Sequence, residues 1–510
     1  MYLKLLWVVL ASFILIACQS AEKQHKDYSF LISQSKNNAV EIDRIVSYYK
    51  AQNELDKIKS IEFVLDNISD QYAIKYSLIN GDNRDTISHI DGLSVDSIFS
   101  MIRNNYKLEG DTTWDIDIIK SKYLIKHIEK AYSSWRDKQL NKKLSFEDFT
   151  NYLLPYRAQN EQLDDFIQLL ENRYDFNNIL QLNSENDSLM AYNFASLRMT
   201  NERLNNSHGA EFLSNPSYYD IYFNHAPFHN YENTFLVKMK ILRYFGIAAM
   251  TSYTFSSRND FAAKYTSSIF DYTINRKEKG KKELGISKMY RSAFQKKEWD
   301  NPYDQLKLMG IAPSNIPISL FIPKMKDITD QVTFAKDITL QLSDKLLGQK
   351  VIYLCHYSND KWQAVSYGIV NESGSVTFKK MGCGVLYQMM ICSSAHNQEL
   401  IGLPIIVDTT GTVKTIDVKK NESISMLFSY YSYSSKLRPL EHYDLYYWNI
   451  DKSKWMKLQA FKSNEEGGVL AQNINPNGLY KWGEEWDNSK GNIMGPRIFT
   501  ISNDNKQEWW

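Results

Sequence analysis

Cysteine and histidine are missing from the middle of this 510-residue chain. No cysteine lies between Cys18 and Cys355, and no histidine lies between His229 and His356. Thiol catalysis needs a cysteine whose thiolate is stabilised by a nearby imidazole, cation or helix N-terminus. A thiol nucleophile placed anywhere in residues 19–354 is therefore excluded.

The chain also lacks an excess of charge of either sign. Its 60 Lys and Arg residues stand against 59 Asp and Glu residues, which leaves a net charge of +1. Proteins that bind nucleic acid usually present a strongly basic surface. We expect no nucleic-acid partner. No phosphate-binding loop, dinucleotide fingerprint or zinc-type cysteine spacing is present, so the sequence predicts no cofactor and no metal.

Three cysteines remain beyond Cys18: Cys355, Cys383 and Cys392. Their odd number permits at most one disulfide between them. Small buried thiols are the simpler expectation for these positions.

Only one long apolar run occurs, and it lies at the N-terminus. Residues 5–16 are apolar apart from Ser12 and follow the single positive charge of Lys4. The run is shorter than the 20 or so residues that span a bilayer, and its form is typical of an export signal. Residues 15–18, Leu-Ile-Ala-Cys, resemble a bacterial lipobox. We predict that residues 1–17 are a lipoprotein signal peptide and that Cys18 carries the lipid.

This assignment predicts a cell-envelope protein whose membrane partner is reached through the N-terminal lipid. Two or more acyl chains give stable anchoring where one chain does not. Gln19 and Ser20 do not supply the aspartate that retains a lipoprotein in the inner membrane. Outer-membrane placement is therefore favoured only by resemblance to other lipoproteins. An ordinary cleaved signal with a chance cysteine is the alternative.

The next part of the chain has a helical pattern. Residues 18–42 are predicted as a linker and residues 43–189 as a helical domain. An apolar face with helical spacing runs along Leu124, Ile128, Ala131 and Trp135. A further helix is predicted to start after an N-cap at Ser145 and to kink or end at Pro155.

Mixed and then β-rich texture follows. Residues 190–305 contain a predicted helix, Tyr231 to Phe245, closed by Gly246, and predicted strands at 247–255 and 265–272. Two β-sandwich-like units are predicted at 313–435 and 436–510. Each contains an aromatic hairpin, one around Tyr353 to Trp362 and one around Tyr443 to Trp455, and the sequence leaves open whether the units are repeats. The predicted class is α+β multidomain.

Several segments together resemble the transglutaminase-like lipoproteins of the Bacteroidetes type, from the lipobox to the last residues. No single segment is specific, but their order and spacing match. The segments are Phe146-Glu147-Asp148-Phe149, Leu153-Leu154-Pro155-Tyr156-Arg157 with Glu161, Leu242-Arg243-Tyr244-Phe245-Gly246-Ile247, Met289-Tyr290-Arg291-Ser292-Ala293-Phe294, Asp327-Ile328-Thr329, Arg497-Ile498-Phe499-Thr500 and Trp509-Trp510.

The resemblance implies a papain/transglutaminase-like α+β core in residues 190–305. In that family a cysteine begins the core helix and a histidine follows on a neighbouring strand. Counting back from Gly246, the nucleophile position is Tyr231, and the strand that should supply the histidine, residues 259–265, has none. The resemblance therefore implies a catalytically degenerate core that binds or scaffolds a peptide, glycopeptide or glycan.

Two other functions stay open. His225, His229 and Glu232 are close in sequence and could hold a metal for hydrolysis, although Pro227 argues against a continuous helix there. A purely structural envelope interaction protein is the third reading. A calcium loop at Asp111, Asp115 and Asp117 is not expected, because the required glycine and closing glutamate are missing. Solvated charge or helix capping is expected for these aspartates instead.

Aromatic residues make up 14% of the chain, with 34 Tyr and 11 Trp. Such rings can form platforms for sugars or peptides, or fill cores and seams between domains. Trp482 and Trp486 are the candidate platform residues, together with Trp509 and Trp510. The candidate binding residues are thus His225, His229, Tyr231, Glu232, Trp482 and Trp486.

Overall fold

The computed structural model describes much of the chain from His25 onward. The described residues are 25–82, 84–87, 101, 106–137, 144–158, 160, 163, 239–240, 242–255, 264–269, 285–322, 324–358, 361–394, 397–416, 423–431, 436–483, 497–502 and 504–510. Helices and antiparallel strands in several sheets confirm the α+β class. Within these residues no helix is both long and apolar enough to cross a bilayer.

The N-terminal region begins earlier than the sequence predicted. Its helices are α1 (Ser29–Gln34), α2 (Ala39–Lys50), α3 (Leu55–Asn67), α4 (Asp115–Ile118), α5 (Ser121–Asp137) and α6 (Phe146–Tyr152). Tyr28 and Leu31 are buried in the same apolar core as α2, α3 and α5. The described part of the predicted 18–42 linker is therefore folded, because these two side chains anchor it.

This region is not purely helical, which corrects the prediction for residues 43–189. A three-stranded antiparallel sheet of order β2-β1-β3 interrupts the helices. Its strands are β1 (Tyr72–Asn80), β2 (Thr86–Ile87) and β3 (Tyr106–Trp114). Strand β1 carries aromatic and β-branched residues, which favour a pleated surface. In the sequence this strand signal is short and lies between two helical patterns, so the pattern as a whole predicts helix.

The predicted helix signals are confirmed. Leu124, Ile128 and Ala131 are buried in the helical core, and Trp135 packs against it. The Ser145 hydroxyl accepts a hydrogen bond from the Asp148 amide at 3.0 Å and caps α6. The helix ends before Pro155, as the missing amide hydrogen of proline requires.

A four-stranded antiparallel sheet of order β5-β4-β6-β7 follows. Its strands are β4 (Ala249–Thr254), β5 (Lys264–Ile269), β6 (Met289–Ser292) and β7 (Met325–Asp327). The first two lie within a few residues of their predicted positions. The helical turn before β4 closes at Gly246, whose φ of 75° is the left-handed conformation that glycine tolerates at a helix end.

The first β unit, residues 335–415, combines a five-stranded sheet of order β10-β9-β12-β13-β14 with the pair β11-β8. Its strands are β8 (Ala335–Gln341), β9 (Val351–Ser358), β10 (Lys361–Ile369), β11 (Ser375–Gly382), β12 (Val385–Ser394), β13 (Asn397–Val407) and β14 (Val413–Thr415). Short helices α7 (Pro302–Leu308) and α8 (Thr329–Val332) precede it. One apolar core joins Tyr253 and Tyr290 of the four-stranded sheet, and Phe255 just after β4, to both layers of this unit. The predicted break between residues 305 and 313 is therefore not a break in packing.

The second β unit begins before the predicted boundary at residue 436. Its strands are β15 (Ile424–Phe428), β16 (His442–Asn449), β17 (Lys454–Lys462), β18 (Val469–Ile474), β19 (Leu479–Gly483), β20 (Ile498–Ile501) and β21 (Gln507–Trp509). Strand β15 pairs with β18, so residues 424–428 belong to this unit and not to the first. Both predicted aromatic hairpins are confirmed, as β9–β10 and β16–β17.

The two β units have the same topology. When the described strands of each unit are numbered in chain order, the five-stranded sheet runs third-second-fifth-sixth-seventh, and the first strand pairs with the fourth. Details repeat as well: the loops Asn371–Gly374 and Asn464–Gly467 share their first two residues and a final glycine with φ of 72° and 76°. The question left open by the sequence is answered structurally, since the units are repeats in strand order.

The two units meet through the outer faces of their five-stranded sheets. Four rings form a closed cycle in edge-to-face contact, with centroids 5.1–5.8 Å apart: Tyr357, Trp362, Trp448 and Trp455. Each hairpin supplies two of the rings, from directly opposed positions. We call these four rings the aromatic seam.

Candidate functional site

Most of the predicted site lies outside the described residues. The predicted site residues that the structure does not describe are Cys18, His225, His229, Tyr231, Glu232 and Trp486. The described part of the predicted core is the helix end at 242–246, strand β4 and the elements packed against them. We therefore build the site from these flanking residues.

Arg243 joins the core to the helical region. Its buried guanidinium donates to four backbone carbonyls: through Nε to Tyr152 at 3.1 Å and Ala249 at 3.0 Å, and through a terminal nitrogen to Pro155 at 2.7 Å and Arg157 at 2.9 Å. A guanidinium offers five N–H donors in a fixed plane, which suits it to collecting carbonyls that would otherwise be orphaned. Arg243 therefore fixes the Tyr152–Arg157 segment against the start of β4.

The same segment is held from its other side by a buried ion pair. Arg157 and Asp115 form a bidentate pair, and both side chains are at most 1% exposed. The Tyr156 hydroxyl also donates to Asp115, at 2.8 Å. The expectation of solvated charge or helix capping is therefore wrong for Asp115, because the carboxylate is fully buried and neutralised by a residue distant in sequence.

One face of β4 carries polar groups toward α6. Ser252 lies opposite Arg291 of β6, and the Arg291 Nε reaches the Ser252 hydroxyl at 3.4 Å. The guanidinium carbon lies 5.8 Å from the centre of the Tyr152 ring. Burial lowers the pKa of Arg291. Among the described residues no histidine contacts Ser252 to activate it.

The two fully buried histidines of the described chain serve as structural donors. His127 bonds the Leu154 carbonyl through Nε2 at 2.9 Å, and His356 bonds the Leu386 carbonyl through Nδ1 at 3.0 Å. Burial lowers the pKa of each to about 4. Both imidazoles are therefore neutral at pH 7.

The three cysteines beyond Cys18 are free thiols, and the expectation of small buried thiols is confirmed for Cys355 and Cys383. Cys355 and Cys383 are buried, and burial raises the pKa of both. A raised pKa disfavours the thiolate, which is the reactive form. Neither is placed for nucleophilic chemistry.

A cluster of charged side chains that the sequence did not reveal lies between the four-stranded sheet and the first β unit. The Lys288 ammonium donates to Asp327 at 2.5 Å and to the Lys379 carbonyl at 2.9 Å. Asp327 also accepts from the amide and hydroxyl of Thr329. Burial, with the Asp327 charge, raises the pKa of nearby Asp300. The pairing locks β7 to β11, and no spacing pattern in the sequence marks it.

The described tryptophans proposed as platforms are not exposed. Trp482 is fully buried in the core of the second unit, and its indole donates to the Tyr430 carbonyl at 3.1 Å. Trp509 lies in the same core, and Trp510 is buried where the two units meet. The platform prediction is wrong for these residues, because alternation along β19 and β21 turns Trp482 and Trp509 into the core, and Trp510 is covered where the units meet.

Within the described residues no group of three or more His, Cys, Asp or Glu side chains is arranged to hold a metal. No family model matches the chain, and no curated protein or solved structure matches it either.

Proposed function

We propose that this chain is a lipid-anchored cell-envelope protein that binds or scaffolds a peptide, glycopeptide or glycan without transforming it. In this proposal residues 190–305 form a catalytically degenerate papain/transglutaminase-like core. The two repeated β units are β-sandwich-like supports for that core. The lipid on Cys18 anchors the protein, and the outer membrane is the favoured location.

One observation carries the proposal: the chain has no cysteine in residues 19–354. Acyl transfer through a thioester needs a sulfur nucleophile and a base that accepts its proton. The aligned position, Tyr231, offers a phenol, whose ordinary pKa of about 10 makes it a poor nucleophile at neutral pH. A core that has lost the nucleophile can still present a shaped cleft to a ligand.

The packing around the described flank supports a retained cleft. Arg243 and the Asp115–Arg157 pair hold the Tyr152–Arg157 segment from two sides. Buried ion pairs cost desolvation free energy, and they are best attested where a unique arrangement must be specified. A buried ion pair and a buried guanidinium beside β4 are what a rigid binding surface would need.

Binding is tested by thermal shift of the purified exported chain against a panel of peptides, muropeptides and oligosaccharides. A ligand at about 100 times its dissociation constant adds about 2.7 kcal/mol and raises the melting midpoint visibly. Tyr231→Ala should abolish the shift, while Tyr430→Ala, an exposed aromatic of the second unit, should preserve it. A panel without a single shift contradicts the binding role and leaves a structural partner protein as the explanation.

Catalysis is tested on the same preparation. We expect no amidase or crosslinking turnover above buffer. Turnover that is lost with Tyr231→Ala contradicts the proposal, and turnover abolished by a chelator and by His225→Ala supports a metal-assisted hydrolase instead. Anchoring is tested with Cys18→Ser, which should move the chain from the membrane fraction to the soluble fraction.

A further inference from the structure

The repeated topology allows equivalent positions of the two β units to be compared. The aromatic seam fixes the register, because Tyr357 opposes Trp362 in β9–β10 as Trp448 opposes Trp455 in β16–β17. Cys355 lies two residues before Tyr357 in β9, and Tyr446 lies two residues before Trp448 in β16. Cys355 and Tyr446 are therefore at equivalent positions. Both sheets also carry a bulge at the same place in the third strand.

The same register gives the neighbours of these two residues on the outer face of each sheet. In the first unit Cys355 pairs with Ala364 and Gln388, and Tyr353, two residues earlier on the same face, pairs with Met390. In the second unit Tyr446 pairs with Lys457 and Lys481, and Asp444, two residues earlier on the same face, pairs with Gly483. Apart from Gln388, the first of these outer faces is apolar, whereas its counterpart is charged and aromatic.

In the first unit this face is closed by the chain itself. Leu306 of α7, Ile316 and Leu320 pack on the four apolar residues. The Tyr353 hydroxyl donates to the Asn315 carbonyl at 2.7 Å, and the Ser319 hydroxyl donates to the Ala364 carbonyl at 2.8 Å. We call residues 302–320 the closing segment.

The described part of the second unit has no counterpart of the closing segment. Among the described residues, no helix follows the short turn Asp344–Leu346. The Asp444 and Lys457 side chains are 23% and 51% exposed, and their charged atoms are 2.6 Å apart. The Tyr446 ring lies against Gly483, where a Cβ would come within 2.5 Å of the ring. We call Asp444, Tyr446, Lys457 and Gly483 the Tyr446 strip.

An apolar peptide like the closing segment does not fit this strip. Covering it with leucine and isoleucine would bury the Asp444–Lys457 pair, and removing charges from water costs several kcal/mol per ion unless other hydrogen bonds replace it. A sugar ring fits better. Its C–H face stacks on an aromatic ring, while its hydroxyls both donate to a carboxylate and accept from an ammonium.

We propose that the Tyr446 strip binds a neutral oligosaccharide. One sugar residue stacks on Tyr446, its hydroxyls bridge Asp444 and Lys457, and Gly483 keeps the ring in place beneath it. This inference rests on the proposed binding role, but it places a ligand site on the second β unit and outside the predicted cleft.

The test is calorimetric titration of the purified exported chain with cellotetraose, fully N-acetylated chitotetraose, maltotetraose and mannotetraose, up to about 1 mM free sugar. We expect at least one to bind. Tyr446→Ala should weaken that binding about tenfold or more, and Asp444→Asn should weaken it several-fold. Gly483→Ala, which displaces the ring without removing it, should act like Tyr446→Ala. Tyr430→Ala is the matched control and should bind normally.

Two results would overturn the inference: no binding of any of the four sugars, or equal binding by the parent chain and Tyr446→Ala. Because Tyr446 is only half-buried, its variant should keep the parent melting midpoint, which checks folding. Sugar binding that survives Tyr446→Ala but is lost with Tyr231→Ala would move the ligand to the predicted cleft. The proposed function would then stand while this site fell.

Discussion

Tyr387 and Tyr480 donate equivalent hydrogen bonds in the two β units. The Tyr387 hydroxyl reaches the Gly382 carbonyl at 2.9 Å, and the Tyr480 hydroxyl reaches the Asn475 carbonyl at 2.8 Å. Each tyrosine is in the fifth strand of its unit and bonds to a carbonyl five residues earlier. Each phenol therefore fixes the turn that leads into its own strand.

Removing either hydroxyl should destabilise the fold. Tyr387→Phe and Tyr480→Phe each leave a carbonyl acceptor without its donor, which costs about 1–3 kcal/mol. Tyr387→Phe should cost more, because its hydroxyl also lies 3.3 Å from the Ser287 carbonyl. Urea unfolding of the parent and variants measures both. Tyr430→Phe should stay within about 0.5 kcal/mol, and equal effects in all three variants would contradict the assignment.

The buried pair Asp115–Arg157 should be far more sensitive than a surface pair. Asp115→Asn or Arg157→Met leaves an uncompensated or unpaired group in the core and should cost about 3–5 kcal/mol. The exposed Lys26–Asp66 pair is the control, and Lys26→Met should cost at most about 1 kcal/mol. Chemical denaturation compares them. A small effect of Arg157→Met would show that water replaces the ion pair.

Whether a feature could be predicted from the sequence depends on how far apart in the chain the interacting residues are. Local signals gave correct elements: the Ser145 cap, the glycine closure at Gly246 and the two aromatic hairpins depend on residues near in sequence. The Asp115–Arg157 pair and the pairing of β15 with β18 depend on residues that are distant in sequence. No periodicity records such contacts.

The same limit explains the tryptophans. Trp482 reads as a surface platform because polar turn residues surround it in sequence. Whether Trp482 is exposed or buried depends on which face of β19 lies against the core. A shift of one residue in the register would turn its side chain to the opposite face. The platform inferred from the structure, Tyr446, sits at a position where only comparison of the two units separates a covered site from an open one.

The aromatic seam should couple the two units energetically. Trp362 and Trp448 come from different units, with ring centroids 5.8 Å apart at 64°. A double-mutant cycle with Trp362→Leu and Trp448→Leu should give a coupling of about 0.5–1.5 kcal/mol. Unfolding by urea, followed by tryptophan fluorescence and by circular dichroism, provides the free energies. Strictly additive effects would show that the rings only fill space.

The thiols should differ in reactivity. Cys355 and Cys383 are buried with raised pKa values, whereas Cys392 is partly exposed. In the folded chain a maleimide should label Cys392 first and the other two only upon unfolding, because the reagent needs access and a thiolate. Mass spectrometry of peptides gives the sites. Fast labelling of Cys355 in native buffer would contradict its burial.

Acid should weaken the fold through the two buried histidines. Burial lowers the pKa of His127 and His356 to about 4 in the folded chain, against about 6.5 in the unfolded chain. Between these values the unfolded state binds more protons, so stability is full above pH 6.5 and falls as the pH drops toward 4. Each histidine can account for as much as about 3 kcal/mol.

Two conservative variants isolate this effect. His127→Gln places an amide donor where Nε2 bonds the Leu154 carbonyl, and His356→Asn places one where Nδ1 bonds the Leu386 carbonyl. Urea unfolding at a series of pH values from 4 to 8 should then show a shallower loss of stability in the double variant than in the parent. His442→Asn, at an exposed position, should keep the parent slope. If the double variant loses stability as steeply as the parent, carboxylates and not these imidazoles govern the acid response.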